Sequence, residues 1–251
     1  MLAQASSYAA SIDGLILLIG VLVAFWLLAA EGIFLLLLFT FRKKEGSKSR
    51  YISGDEKHLK RWITVPHLFI LIFDLMIVVA AVEVWYDVKL DLPEADSIVR
   101  VTGQQWAWVF QHPGSDNRLD TSDDIWTTDE LHVQVNRTYH FELESRDVLH
   151  SFSVPVFRLK QDAVPGRRIT GWFEPTRVGT YDIQCAEICG LGHGVMAGRI
   201  FVEVEADHLA WVAERTPAPD ASVGLDTVET DRSGRSFDAE TPVAALDRRR
   251  M

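Results

Sequence analysis

Residues 180–205 read TYDIQCAEICGLGHGVMAGRIFVEVE. The two ends, Thr180–Gln184 and Arg199–Glu205, alternate apolar and polar side chains, as half-buried β-strands do. Between them lie Cys185, Cys189, His193 and Met196, and these two cysteines are the only ones in the chain. Thiolate, imidazole and thioether are soft or intermediate donors, which favour copper over a hard cation. Two strands joined by a loop of such donors predict a β-domain that holds a metal. The set is one donor short of a two-metal site, and His150, in Asp-Val-Leu-His-Ser-Phe (147–152), is the candidate to complete it.

Other readings of the loop stand beside copper. Two cysteines in an exported domain can pair as a disulfide. So short a closed loop would constrain little chain entropy, and His193 and Met196 would have no role. Tetrahedral zinc from two Cys and two His is the other alternative. The spacing departs from the usual finger pattern, and a thioether has no part on zinc. A one-copper site uses one Cys, two His and a weak axial Met. The second thiolate here allows two coppers to be bridged, with His150 and His193 terminal and Met196 and a backbone carbonyl as weak contacts. Such a set leaves no open position for a substrate, so it is expected to pass electrons.

Working outward, further strands are predicted over Ile98–Phe110, Leu131–Val135, Tyr139–Glu144, Ser151–Val154 and Arg168–Phe173, separated by Pro, Gly and Asn. Short strands in this number suggest an antiparallel sandwich or Greek-key barrel. Ahead of them are two apolar runs. Gly14–Phe41 carries one acid, Glu31, and Ile63–Tyr86 carries Pro66, Asp74 and Glu83. Each exceeds the roughly 20 residues that cross a bilayer core. Carboxylates are costly in lipid, so these three are expected to face protein or water, which hints at a larger membrane partner.

The connection between the runs is basic, with Arg42, Lys43, Lys44, Lys48, Arg50, Lys57, Lys60 and Arg61. The positive-inside rule puts it in the cytoplasm and both termini outside. No basic residue precedes the first run, so a cleaved signal peptide is not evident. The chain carries a net charge of −10 with His neutral, and the acid excess falls after the second run. Such a surface attracts a basic partner and is not expected to bind nucleic acid. After Arg215 the composition turns to Pro, Ser, Thr, Asp and Arg without apolar periodicity, so a disordered tail is expected. The predicted organisation is a transmembrane hairpin over 1–90 (spans about 14–41 and 63–86), a copper domain over 91–214 and a disordered tail over 215–251.

Four ordered motifs behind a membrane hairpin carry a family resemblance. They are Gly-Gln-Gln-Trp-Ala-Trp (103–108), Asp-Val-Leu-His-Ser-Phe-Ser-Val-Pro (147–155), Leu-Lys-Gln-Asp-Ala-Val-Pro-Gly-Arg (159–167) and the loop Cys185 to Met196. Over about Gly14 to Val204 the chain resembles subunit 2 of the haem–copper cytochrome c oxidases. The resemblance implies a two-helix transmembrane hairpin followed by an all-β, cupredoxin-like Greek-key barrel. It implies a dinuclear copper A centre bridged by Cys185 and Cys189, with His150 and His193 terminal, Met196 as the weak ligand on one copper and the Glu187 carbonyl on the other. The Glu187 side chain is then expected to face a magnesium or manganese ion at the boundary with subunit 1, supported through water by Asp162. Trp106 takes the place of the family's electron-accepting tryptophan.

The implied function is to accept electrons from cytochrome c and pass them to haem in subunit 1. There oxygen is reduced to water with proton pumping. The implied address is the bacterial plasma membrane, with the copper domain on the periplasmic side. Asp116, Asp120, Asp123, Asp124, Asp129 and Glu130 are candidates for an acidic surface that meets cytochrome c. Trp108 is read as core, and His112 and His132 as structural. Trp126 fits either packing or docking.

Two departures stand out. Leu59 occupies the place where many relatives carry a glutamate for proton intake. No Cys-x-x-Cys-His is present, so the resemblance implies no haem in this chain and a separate donor protein. Quinol oxidase subunits lack the copper ligands. Nitrous oxide reductase, which shares the loop, is soluble and much larger.

Overall fold

The computed structural model describes residues 3–46, 48, 51 and 53–217. Of the expected tail, 218–251 therefore lies outside the described residues. Two long helices come first, α1 (Ala9–Thr40) and α2 (Lys57–Trp85), the second running on through a π-turn at Tyr86–Leu90. Both begin before the spans read from hydropathy, because apolar runs mark the lipid-facing stretch and the helices continue into their polar ends. Their apolar side chains are exposed all round. That is the signature of helices that lie in lipid or against other subunits. Trp26 meets Phe73 edge-on at 5.7 Å and links the two helices.

The rest folds into two five-stranded sheets. The strands are β1 (Ser97–Gln104), β2 (Ala107–His112), β3 (Ile125–Thr128), β4 (Glu130–Gln134) and β5 (Tyr139–Ser145). They continue with β6 (His150–Val154), β7 (Leu159–Ala163), β8 (Ile169–Phe173), β9 (Gly179–Cys185) and β10 (Ala197–Glu203). The sheet orders are β3-β2-β1-β5-β8 and β4-β10-β9-β6-β7. β1 runs parallel to β5 and β10 parallel to β4, and the other neighbours are antiparallel. This is the expected cupredoxin-like arrangement, with one parallel pair in each sheet. Between the sheets lie fully buried Val101, Trp108, Phe110, Leu131, Phe141, Leu143, Phe152, Ile183 and Ile200.

Several boundaries differ from the sequence reading. The single strand expected over Ile98–Phe110 is two, folded back at Gln105–Trp106 with Gln104 opposite Ala107. Trp106 therefore sits on a turn and does not share a strand face with Trp108. Gln-Trp carries no turn chemistry, so the sequence pattern runs through this fold-back without a break. Leu159–Ala163, outside the strands expected from sequence, is β7. Ile125–Thr128 is likewise a strand beyond those expected. Glu205–Arg215 forms an amphipathic helix, α3, with Glu205 and Asp207 in its first turn and Arg215 in its last, as the helix dipole favours.

The hairpin and the β-domain are tied by a short N-terminal strap. Ala5 N donates to Val156 O, Thr176 N donates to Ala5 O, and Ser6 forms a bridge with Pro175. Arg158 grips Asp13, the first acid of α1, through Nε at 2.7 Å and Nη2 at 2.8 Å. At the end of the second helix, Trp172 Nε1 donates to Val88 O and Lys89 Nζ to Gln161 Oε1.

Candidate metal centre

The loop donors converge at one end of the second sheet. β6 pairs antiparallel with β9, with Phe152 opposite Cys185. His150, at the start of β6, therefore lies beside Cys185, at the end of β9. The β9–β10 loop turns back through a short helical turn, His193–Val195, which brings His193 and Met196 under Cys189. His150, Cys185, Cys189 and Met196 are all buried and His193 partly so.

The distances are those of donors that share metal. The two Sγ atoms are 3.7 Å apart and both cysteines are free. A disulfide requires about 2.05 Å. His150 Nδ1 lies 3.9 Å from Cys185 Sγ, and His193 Nδ1 lies 3.8 Å from Cys189 Sγ. Met196 Sδ is 3.8 Å from Cys189 Sγ, and Glu187 O is 3.2 Å from Cys185 Sγ. With metal–donor bonds of about 2.0–2.3 Å, donors at these separations can meet on common ions. Each sulfur has one imidazole and one weak donor beside it, so the set is divided evenly between the two thiols. That chemistry fits a pair of soft ions.

Burial pushes the Cys189 thiol up to about 11, helped by its hydrogen bond to Cys185 and by that residue's charge. A metal that claims this sulfur displaces its proton.

Asp147 is the functional residue that the sequence reading left unmarked. Its Oδ1 accepts from His150 Nε2 at 2.8 Å, which fixes the ring and leaves Nδ1 aimed at the sulfurs. Burial alone would raise the Asp147 carboxyl. The hydrogen bonds from His150 and from the Gln105 and Val148 amides outweigh it and hold the carboxyl below its ordinary value. The signal was in the sequence, since Asp147 precedes His150 by three residues in the quoted motif. Gly103 has a comparable role. A Cβ there would stand 3.0 Å from His150 Cδ2 and 3.2 Å from Trp108 Cζ3, so glycine is what admits both rings.

Trp106 caps the loop, 41% exposed, with its Nε1 donating to Cys189 O at 3.3 Å. Gln105 Nε2 donates to the same oxygen at 2.8 Å. Trp108 is fully buried against His150 and Phe152. Trp126 lies opposite Gln111, roughly 16 Å along the sheet from the Trp106 turn at about 3.3 Å per residue.

The side chains of Glu187 and Asp162 do not come together with a third acid or histidine. Among the described residues, only His150, Cys185 and Cys189 form a group of three such donors close enough to share an ion. Asp162 pairs with Ser151, whose carbonyl accepts from Ala186 N, so β6 separates it from Glu187. The Ser151 hydroxyl is buried without a hydrogen-bond partner among the described residues.

The acidic candidates are mostly engaged internally. Asp120 pairs with Arg100, and Asp124 is buried, accepting from Gln111. Asp123 accepts from Thr121 and Ser115, and Asp129 from Trp108 N. Asp116, although it accepts from Arg118 N, and Glu130 stay exposed.

Residues 97–204 match the family described as cytochrome C oxidase subunit II, periplasmic domain. The chain is 32% identical over 200 residues to the alternative cytochrome c oxidase subunit 2 of Bradyrhizobium diazoefficiens, covering 71% of this chain and 70% of that one. It is 43% identical over 116 residues to the cytochrome c oxidase subunit 2 of Thermostichus vulcanus, covering 46% of this chain and 32% of that one. Among solved structures, the periplasmic domain of subunit II of the cytochrome oxidase of Bradyrhizobium japonicum is similar at 28% identity and a TM-score of 0.45. That similarity covers 49% of this chain and 96% of that one.

Proposed function

The chain belongs to the cytochrome c oxidase subunit 2 family, and from that premise we propose that it is the subunit through which electrons from cytochrome c reach a copper A centre and then haem in subunit 1. Subunits of this family are part of an oxidoreductase complex, and the chain is a membrane protein with its β-domain outside the bilayer. The observation that carries the proposal is the pair of free thiols 3.7 Å apart, each with an imidazole Nδ1 within 4 Å.

Cys185, Cys189, His150, His193, Met196 and the Glu187 carbonyl would hold the copper pair. A copper pair bound there supplies one-electron redox chemistry. The protein's own part is to keep those donors fixed and dry. Asp147 orients the His150 ring, Trp108 and Phe152 pack behind it, and the β6–β9 pairing sets the spacing. Trp106 presents its exposed indole as the contact for the donor's haem edge. Asp116, Asp120 and Glu130 are the exposed acids of the proposed docking surface.

Glu187 and Asp162 would contribute this chain's share of a magnesium or manganese site completed by subunit 1. A hard cation that keeps its waters suits carboxylates, and the Ser151 hydroxyl, buried without a partner among the described residues, lies on the strand between them. Oxygen reduction and proton pumping belong to the whole oxidase in this reading. Both termini and the copper domain then lie on the periplasmic side of a bacterial plasma membrane, which the basic Arg42–Arg61 connection supports.

Electron paramagnetic resonance of the copper-loaded oxidase tests the proposal. One unpaired spin shared by two copper nuclei is the expected result. A single-copper spectrum, or a silent site that contains zinc, overturns it.

A further inference from the structure

Trp106 rests on the loop where the loop has no side chains. An ideal Cβ at Gly192 would stand 2.4 Å from Trp106 Cδ2, 2.6 Å from Cγ and 2.8 Å from Cε3. All three belong to one rigid indole, so no torsion within the ring relieves the overlap. A Cβ at Gly190 would stand 2.9 Å from Gln105 Nε2 and 3.2 Å from Trp106 Cζ2, and the φ of +122° at Gly190 already favours glycine. Two residues on from Gly192, a Cβ at Gly194 would meet nothing within 4 Å. The loop is therefore bare where the indole lies and free to carry a side chain beyond it. The hydrogen bonds from Trp106 Nε1 and Gln105 Nε2 to Cys189 O hold the turn down on this bare surface.

We propose that Gly192 is a positioning residue for electron input. Its missing side chain lets the Trp106 indole touch the ligand loop, and so sets the separation between the donor's contact surface and the metal ligands. This rests on the reading of Trp106 and the copper pair given above. In each transfer one electron leaves reduced cytochrome c, which is oxidised, and the copper centre is reduced by one electron. No bond or proton is exchanged at Trp106. A methyl group at 192 lifts the indole away from the loop without altering any proposed ligand. No bond is made at the indole, so the cost is that of a wider gap for the electron to cross.

The test uses the assembled oxidase with Gly192→Ala in this chain and reduced cytochrome c as the probe. The limiting rate of electron input is expected to fall several-fold. Copper content, the paramagnetic spectrum and the donor concentration at half-saturation should not change. Gly194→Ala should behave as the unaltered oxidase. In a Trp106→Gln background, adding Gly192→Ala should slow input no further. An unchanged limiting rate in Gly192→Ala, an equal fall in Gly194→Ala, or an additional fall in the Trp106→Gln background each overturns the proposal.

If Gly192→Ala loses copper, trimming the ring in Trp106→Ala/Gly192→Ala decides. Restored copper supports the steric clash, and copper still missing overturns it. Absence of a paired-copper spectrum in the unaltered oxidase overturns the functional reading itself. An intact spectrum with unaltered kinetics in the variant overturns only the role of Gly192.

Discussion

The two ends of the β-sandwich both gather histidines, and only one aims them at thiols. At the loop end, His150 and His193 each point Nδ1 at a thiol. At the opposite end, reached along β10, three histidines cluster under α3. His132 is stacked between Phe201 at 4.5 Å and Trp211 at 4.2 Å. Its Nδ1 and that of His208 both meet the Glu203 carboxylate, while His112 Nε2 meets Thr127 Oγ1. The α3 end is richer in imidazoles, yet its ring nitrogens are held by oxygen partners and its ring faces by aromatics. A metal centre is defined by where the donor atoms are aimed and how soft they are, more than by how many histidines gather.

This contrast is breakable. The largest effect is expected from Cys189→Ser, which removes a donor shared by both proposed coppers. The paired-copper spectrum should vanish entirely, and a persistent two-copper signal would break the comparison at its stronger end.

Acid comes next, and it acts at the other end. Burial, together with the neighbouring charges of His132 and His208, pushes His112 down to about 3 from an ordinary value of 6.5. The unfolded chain therefore takes up a proton near pH 6.5 that the folded chain refuses. The stability due to neutral His112 is complete above pH 6.5 and is lost as pH falls towards 3. Between pH 6.5 and 4 the loss is about 3 kcal/mol. Denaturant titrations across this range should show that slope, and His112→Gln should flatten it.

Trp211→Ala removes the ring stacked on His132 and should cost about 2 kcal/mol, less than a fully buried tryptophan. Calorimetry would give that loss. The copper spectrum should stay the same, and a changed spectrum would show that the two ends are coupled. The smallest effect is expected from Asp147→Asn, which keeps the shape beside His150 and weakens its charge-assisted bond. Copper affinity should fall about 10-fold, as competition with a chelator would measure. An unaltered affinity would separate ring orientation from metal retention.

The metal end was legible because its residues are chemically rare. Two cysteines, a spaced histidine and a methionine restrict the possible ions, and His150 completes the set. The α3 end was opaque for the converse reason. Glu205–Arg215 is polar, short and has only Leu209, Trp211 and Val212 as large apolar residues, so its helical period hardly registers. The turn at Gln105–Trp106 was hidden because neither residue breaks a strand pattern, and the seat at Gly192 depends on a contact between residues far apart in sequence. Asp147 stood within a quoted motif, but its value depends on which imidazole nitrogen it holds.

The strap that joins the N-terminus to the β-domain has a consequence for how the molecule is made. Its hydrogen bonds link Ser6 to Phe157 and Asp13 to Arg158, sequence separations of 151 and 145 residues. Closing so long a loop adds little to the final free energy, because the entropic cost grows only logarithmically, but contacts of such high order form late. Synthesis delivers α1 long before the surface it docks on. Asp13 therefore has no partner at this site until the chain has been made past β6, which makes the Asp13–Arg158 pair a late step of folding rather than its seed.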